Sequence, residues 1–278
     1  MIRTGFVAFI AFVVICGLSA CSQKETQEEK AATEEAVEPA VKPGEMVFIP
    51  AGEFIMGTNE KKDTASAYPE HKVDLPAFWI DKYEVTNSEF LDFSIQNNYA
   101  GEGAKEGKDW RLFITADTAL VPVVYITWKD AKTYCESLGK RLATEEEWEK
   151  AARGPNGNRF PWGNEWIDGR SNTYEAGFLK PMPIGRFDDV SYYGVHDMLG
   201  NVQEWTETKY APYKGNPEKD PNANKNYRVV RGLSAVYKSK GGGLWIRSAY
   251  VPEALYDFGC RCAKDATPED IAKYEQTK

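Results

Sequence analysis

The stretch VPVVYITWKDAKTYCESLGKRLATEEEWEKAARG, residues 121–154, predicts two short helices in succession. In each helix a threonine precedes an acidic residue by three positions. This is the spacing of a capping box, in which the hydroxyl and the carboxylate satisfy two amide donors at the helix start. Glycines are natural helix ends. The capping pairs are Thr127 with Asp130 and Thr144 with Glu147, and the expected ends are Gly139 and Gly154.

Similar signals lie on both sides of the 121–154 stretch. Residues 46–57, MVFIPAGEFIMG, predict two short strands around a Pro-Ala-Gly turn, and residues 71–86, HKVDLPAFWIDKYEVT, predict another pair of strands. Residues 156–193 show little periodicity and predict a long, loop-rich region. Two further capping pairs predict one earlier helix and one short C-terminal helix: Thr86 with Glu89, and Thr267 with Asp270.

The first residues predict an exported, lipid-anchored protein. Arg3 precedes a mostly apolar run, residues 5–17, which is short for a membrane span and typical of a signal peptide over residues 1–20. The sequence LSAC at 18–21 resembles a bacterial lipoprotein box, in which Cys21 would carry the lipid. A plain signal peptide with an incidental cysteine is the alternative. We therefore expect a location at the bacterial cell envelope, at the outer membrane or the periplasmic face, with the lipid as the membrane contact.

Composition divides the remaining chain into three parts. Residues 21–44 have no aromatic residue and are rich in Glu, Ala, Lys and Pro, which predicts a flexible acidic tether. An isolated helix is the alternative, although Pro39 and Pro43 argue against one along the full length. Residues 45–265 contain all eight Trp and predict one domain, followed by a helical tail over 266–278. The net charge of −8, without a basic stripe, argues against nucleic acid as a partner.

The sequence DMLGNVQEWTE, residues 197–207, is a candidate site. Asp197 and Glu204 lie on either side of a predicted turn at Gly200-Asn201. Such a segment suits a metal loop, an acid–base pair, or a turn with two solvated acids. A loop bent at glycine can direct carboxylates and backbone carbonyls towards a hard cation such as Ca²⁺. The residues alone leave these three interpretations open.

Six phrases in this order make the chain resemble the formylglycine-generating enzyme (sulfatase-modifying factor) family over nearly all of residues 45–265. The resemblance implies one α/β domain, poor in regular secondary structure and similar to C-type lectins. The phrases are MVFIPAGEFIMG, HKVDLPAFWIDKYEVTNSEF, the whole 121–154 stretch quoted above, FPWGNEW, YGVHDMLGNVQEWT and GCRCAKD.

The resemblance also implies two structural calcium sites. The first would use the side chains of Asp197 and Glu204 with the carbonyls of Gly200 and Val202. The second would use Asn172 and the carbonyls of Thr173 and Phe178; the loop is shorter than is usual in the family, so its acidic ligand has no clean match, and Glu175 is the candidate.

The same resemblance argues against the family's oxidation of cysteine to formylglycine. That reaction needs two cysteines that bind copper(I), an ion suited to soft thiolates. The matching stretch, residues 228–250, contains no cysteine: the first position falls on Tyr237 or Lys238 and the second near Gly243. We expect neither copper nor iron, and formylglycine generation is not expected.

The other cysteines and the histidines suggest structural roles. Cys135 and Cys262 match a disulfide of the family, which an exported protein permits. Cys260 is then expected to be a buried free thiol, with a Cys260/Cys262 copper site as the alternative. His71 and His196 are the two histidines, too few for a three-histidine iron site, and both are interpreted as structural.

Two functions remain. The first is a non-catalytic role in binding or assembly, with an envelope protein or a glycan as partner. Its candidate surface is the loop that replaces the catalytic one, with Tyr237, Lys238, Lys240, Trp245 and Arg247. The alternative interpretation places Trp245 and Arg247 in the core and regards the lysines as solvated residues of a loop. The alternative is a periplasmic oxidoreductase, a maturation enzyme that uses a different site, for which Tyr237 is the first candidate.

Overall fold

The computed structural model describes residues 41–60, 65–103, 107–217, 220–223 and 225–277. The predicted signal peptide, Cys21 and nearly all of the tether lie outside the described residues. Within the described ranges, no helix has the length and apolar character needed to cross a membrane. The helices there are α1 (Asn87–Gln96), α2 (Trp128–Ser137), α3 (Glu145–Arg153) and α4 (Pro268–Glu275).

All four capping pairs predicted from the sequence begin helices. In each, the threonine hydroxyl accepts from the backbone amide three residues later, and the acidic side chain accepts from the threonine amide. Gly154 ends α3 with a φ of 67°, a conformation that favours glycine. The chain leaves α2 at Leu138, and Gly139, with a φ of 66°, follows it.

The predicted strands form, but they pair across the two predicted segments and not within them. Pro50 and Pro76 separate the neighbouring strands, and each strand then finds its partner in the other segment. β1 pairs with β4 and β2 pairs with β3, both antiparallel. The strands are β1 (Met46–Ile49), β2 (Gly52–Met56), β3 (His71–Leu75), β4 (Phe78–Asp81), β5 (Arg141–Leu142), β6 (Gln203–Lys209), β7 (Arg228–Arg231), β8 (Ser248–Tyr250), β9 (Phe258–Cys260) and β10 (Cys262–Asp265).

Two small four-stranded sheets organise the fold. One has the order β1-β4-β10-β5 and the other β8-β7-β6-β9, with β6 and β9 parallel. Only Arg261 separates β9 from β10, so the segment 258–265 contributes one strand to each sheet. The candidate segment 197–207 therefore enters β6 next to the strand that leads directly to Arg261.

A disulfide between Cys135 and Cys262 joins α2 to β10, as the family resemblance implies. Around it lies an aromatic core with Phe90, Trp110 and Trp205, each no more than 1% exposed. The predicted tail does not stand apart from the domain, because the ring of Tyr274 in α4 lies 4.6 Å from that of Phe48 in β1.

Candidate functional site

The two segments predicted to bind calcium pack directly against each other. The side-chain amide of Asn172 donates to Oδ1 of Asn201 at 2.8 Å, and the Asn201 backbone amide donates to the Asn172 carbonyl at 2.8 Å. Gly200 has a φ of 89°, and a Cβ at this position would lie 2.2 Å from the Asn172 carbonyl oxygen. Only glycine therefore allows the two loops to approach so closely.

Four carboxylates lie buried behind these loops, and we call them the acidic cluster. Its members come from distant parts of the sequence, and none is more than 1% exposed: Glu84, Asp189, Asp197 and Glu204. Burial raises the pKa of Glu84 well above its ordinary value, and the charges of Asp197 and Glu204 raise it further. Burial also raises the pKa of Asp189 well above its ordinary value and that of Asp197 to about 6. Ionisation of all four carboxylates is therefore unfavourable unless a cation lies beside them.

Among the described residues, Arg261 is the cation that forms an ion pair with this cluster. Its Nε and Nη2 donate to the two oxygens of Glu204 at 2.7 and 2.8 Å, and both side chains are fully buried. The indole of Trp148 donates to the same carboxylate at 2.8 Å. Glu204 is therefore already paired, although its Oε1 atom accepts only one of these bonds and keeps a lone pair.

Two oxygens at this site have no hydrogen-bond partner among the described residues. Asp189 Oδ1 accepts from the Asp197 amide at 3.0 Å, but Asp189 Oδ2 is buried without a donor. In the adjoining loop, Asn172 Oδ1 is also buried without a donor. Because buried polar atoms normally have partners, two such oxygens beside excess negative charge suit a hard cation. The described residues contain no group of three or more His, Cys, Asp or Glu side chains placed to hold a metal, so backbone carbonyls would have to complete any ligand set.

Glu175, the candidate acidic ligand of the second calcium site, contacts the loop that replaces the catalytic one. Its carboxylate accepts from the backbone amides of Ser239 and Lys240, at 3.0 and 3.1 Å to Oε1. Burial opposes ionisation of Glu175, but these donors lower its pKa overall. Glu175 therefore anchors the loop that replaces the catalytic one. Phe178, whose carbonyl belongs to the same predicted ligand set, is 40% exposed.

The predicted binding surface divides into exposed and buried residues. Tyr237 is 36% exposed, and Lys238 and Lys240 are also exposed. Trp245 and Arg247 are each only 5% exposed, so the interpretation of these two as core residues is the correct one. Arg247 donates from Nε and Nη2 to the Glu145 carboxylate of α3, which holds it within a buried ion network.

A groove of about 350 Å³ borders this loop, and we call it the Asp257 groove. Its lining includes Tyr125, Leu179, Ser234 and Tyr256, with the Asp257 carboxylate among them. Tyr237 adjoins it, since the Asp257 charge helps to raise the pKa of Tyr237, after burial and a hydrogen bond that Tyr237 donates to Tyr250. A phenol held in its neutral form can donate a proton or a hydrogen bond but is poorly suited to act as a general base.

The remaining candidates are Cys260 and the two histidines, His71 and His196. Cys260 is free and fully buried, and burial raises the pKa of its thiol well above the ordinary value. Such a thiol gives little thiolate for copper or for nucleophilic chemistry. His71 Nδ1 lies 2.9 Å from the Pro69 carbonyl oxygen, and burial lowers the pKa of His196.

Known proteins with similar sequences and folds identify the family. The domain described as "Sulfatase-modifying factor enzyme 1-like domain" matches residues 31–266. The chain is 30% identical to the mouse protein named "Inactive C-alpha-formylglycine-generating enzyme 2", over 80% of this chain and 86% of that protein. It is also 29% identical to the Streptomyces coelicolor "Formylglycine-generating enzyme", over 82% of this chain and 92% of that enzyme.

Among solved structures, PvdO from Pseudomonas aeruginosa superimposes with a TM-score of 0.64 at 25% identity, covering 82% of this chain and all of that one. These matches confirm the predicted fold: an α/β domain poor in regular secondary structure. The chain belongs to the sulfatase-modifying factor (formylglycine-generating enzyme-like) family. Both active and inactive proteins occur among these relatives, so membership alone does not assign an activity.

Proposed function

We propose that this chain is a lipid-anchored envelope protein whose family domain binds a partner and does not generate formylglycine. The observation that carries the proposal is the thiol-free loop over residues 232–247, at the position where the family's enzymes bind copper. The nearest substitute, Cys260, is buried and poorly ionised, and Cys262 is bonded to Cys135. A copper site at Cys260/Cys262 would require this disulfide to be broken.

Calcium is the metal that we propose for the domain. Asp197 and Glu204 would hold one ion with the Gly200 and Val202 carbonyls, and it would offset the charge of the acidic cluster. Asn172 Oδ1, with the Thr173 and Phe178 carbonyls and Glu175 as the candidate acidic ligand, would hold a second ion. Both would act as structural links between loops that lack regular secondary structure.

An assay on a cysteine peptide tests the non-catalytic proposal. The full chain, loaded with copper(I) under air, is incubated with a peptide containing the cysteine that the family's enzymes oxidise. We expect no conversion to aldehyde by mass spectrometry, while the Streptomyces coelicolor enzyme converts the same peptide. Aldehyde formation above the rate with copper alone would overturn the proposal.

A further inference from the structure

The Asp257 groove contains a carboxylate that has only neutral partners. Asp257 is 4% exposed, and its Oδ2 accepts from the Ser234 hydroxyl at 2.7 Å and from the Gln203 amide at 3.2 Å. Within the described ranges, no lysine, arginine or histidine forms an ion pair with it. Lys180 lies in the groove lining with an exposed side chain. A buried carboxylate without a cation is costly, so the site favours a positively charged occupant.

Aromatic residues also line this groove. Phe113 and Tyr125 stack with centroids 4.5 Å apart and an interplanar angle of 9°, and Tyr256 lines the same groove with half of its side chain exposed. The faces of aromatic rings attract cations, and quaternary ammonium groups are recognised in this way. The groove therefore offers an anion and π faces together, beside apolar surface from Val124 and Leu179.

The backbone of the groove supplies an independent observation. Tyr125 has a φ of 59° and Leu179 a φ of 54°, in the left-handed region that bulky residues rarely adopt. Both side chains line the groove. Strained conformations of this kind concentrate at functional sites, where the surrounding fold holds a side chain in a required position.

We propose that the Asp257 groove binds a small organic ammonium ion that carries an apolar substituent, with the ammonium group at Asp257 and the substituent against Phe113, Tyr125 and Tyr256. The volume of about 350 Å³ suits a small molecule and not a folded partner. The proposal deepens the binding function proposed above and rests on it.

Titration of the full chain with 2-phenylethylammonium, followed by calorimetry, tests this site. The neutral 2-phenylethanol and the anionic 3-phenylpropionate have the same ring and differ in the charge of the end group. We expect the ammonium ion to bind at least about tenfold more tightly than the alcohol, because only the ammonium ion can form a charge-assisted hydrogen bond to the Asp257 carboxylate. Equal affinity for the alcohol, or no ammonium binding at millimolar concentration, would overturn the proposal.

Two variants and a control locate the binding. Asp257→Asn keeps an acceptor for Ser234 and removes the charge, and we expect it to lose the preference for the ammonium ion. Tyr256→Leu keeps apolar surface and removes a π face, and we expect a severalfold loss of ammonium binding with smaller loss for the alcohol. Asp92→Asn removes an exposed carboxylate from α1 and should change neither. An Asp257→Asn protein that retains the preference contradicts the assignment.

The outcomes separate this inference from the proposed function. If the ammonium ion does not bind while the cysteine peptide remains unmodified, the groove assignment alone is wrong. If the peptide is converted to aldehyde while the charge preference persists and depends on Asp257, the site stands and the non-catalytic proposal is wrong.

Discussion

Arg261 is the residue on which the buried acidic cluster most depends. Its guanidinium binds both oxygens of Glu204 and also donates to the carbonyls of Asp81 and His196. Arg261→Ala would leave a buried carboxylate without its cation, a change that typically costs about 3–5 kcal/mol. We expect a loss of this size in the free energy of unfolding, measured by urea denaturation.

Arg111→Ala is the matched control for that variant. Arg111 also binds a carboxylate through two nitrogens, in Asp109, but its side chain is 45% exposed. Pairs in this environment contribute about 1 kcal/mol or less. If the two substitutions cost the same, Arg261 is not compensating buried charge.

Asp257 should give the protein a measurable pH dependence. Burial raises its folded-state pKa above the ordinary value of 3.8. A raised pKa means that the contribution of this group to stability is largest below pH 3.8 and declines as the pH rises through the folded-state pKa. Asp257→Asn should therefore cost less stability, relative to wild type, at pH 7 than at pH 4.5. Urea unfolding at both pH values checks this sign, and an equal or larger cost at pH 7 contradicts it.

At the scale of elements, the disulfide between α2 and β10 closes a long covalent loop, because the two cysteines are 127 residues apart in the sequence. The double variant Cys135→Ala/Cys262→Ala frees this loop in the unfolded chain. We expect a loss of about 2–5 kcal/mol in unfolding free energy under non-reducing conditions. Cys260→Ala removes a buried sulfur from the same core without breaking a cross-link. A comparable loss in that variant would show that packing, not the cross-link, is responsible.

The sequence predicts the helices better than the strand partners. A capping pair such as Thr144 and Glu147 acts within one turn, so its spacing is sufficient to place α3. The partners of β1 and β2 depend on contacts between segments, and no local pattern distinguishes β1–β4 pairing from a hairpin with β2.

The residues of the candidate site also differ in how far the sequence predicts them. The family resemblance leads to Asp197, Gly200 and Glu204 in the phrase YGVHDMLGNVQEWT, and to Asn172 in the loop that follows FPWGNEW. It assigns no role to Glu84, although this residue lies in another matched phrase, or to Asp189; both join the acidic cluster only through the fold. The sequence shows two adjacent aspartates and does not distinguish them. In the structure, Asp188 is mostly exposed and paired with Arg170, whereas Asp189 is buried.

At the scale of the whole molecule, the lipid anchor is a proposal that cell fractionation tests. Cys21→Ser removes the thiol that would carry the lipid and leaves the domain unchanged. We expect the wild-type chain in the membrane fraction and the variant in the soluble periplasmic fraction. Cys16→Ser, in the segment that precedes cleavage, is the control and should remain in the membrane fraction. Release of both variants, or of neither, contradicts an anchor at Cys21.

Metal content tests the central claim most directly. The full chain, purified in detergent without chelator, is measured by plasma mass spectrometry, and the account predicts one or two calcium ions per chain with neither copper nor iron. Stoichiometric copper or iron would contradict the binding-module account and indicate an oxidase. Absence of calcium would contradict the proposed role of the acidic cluster.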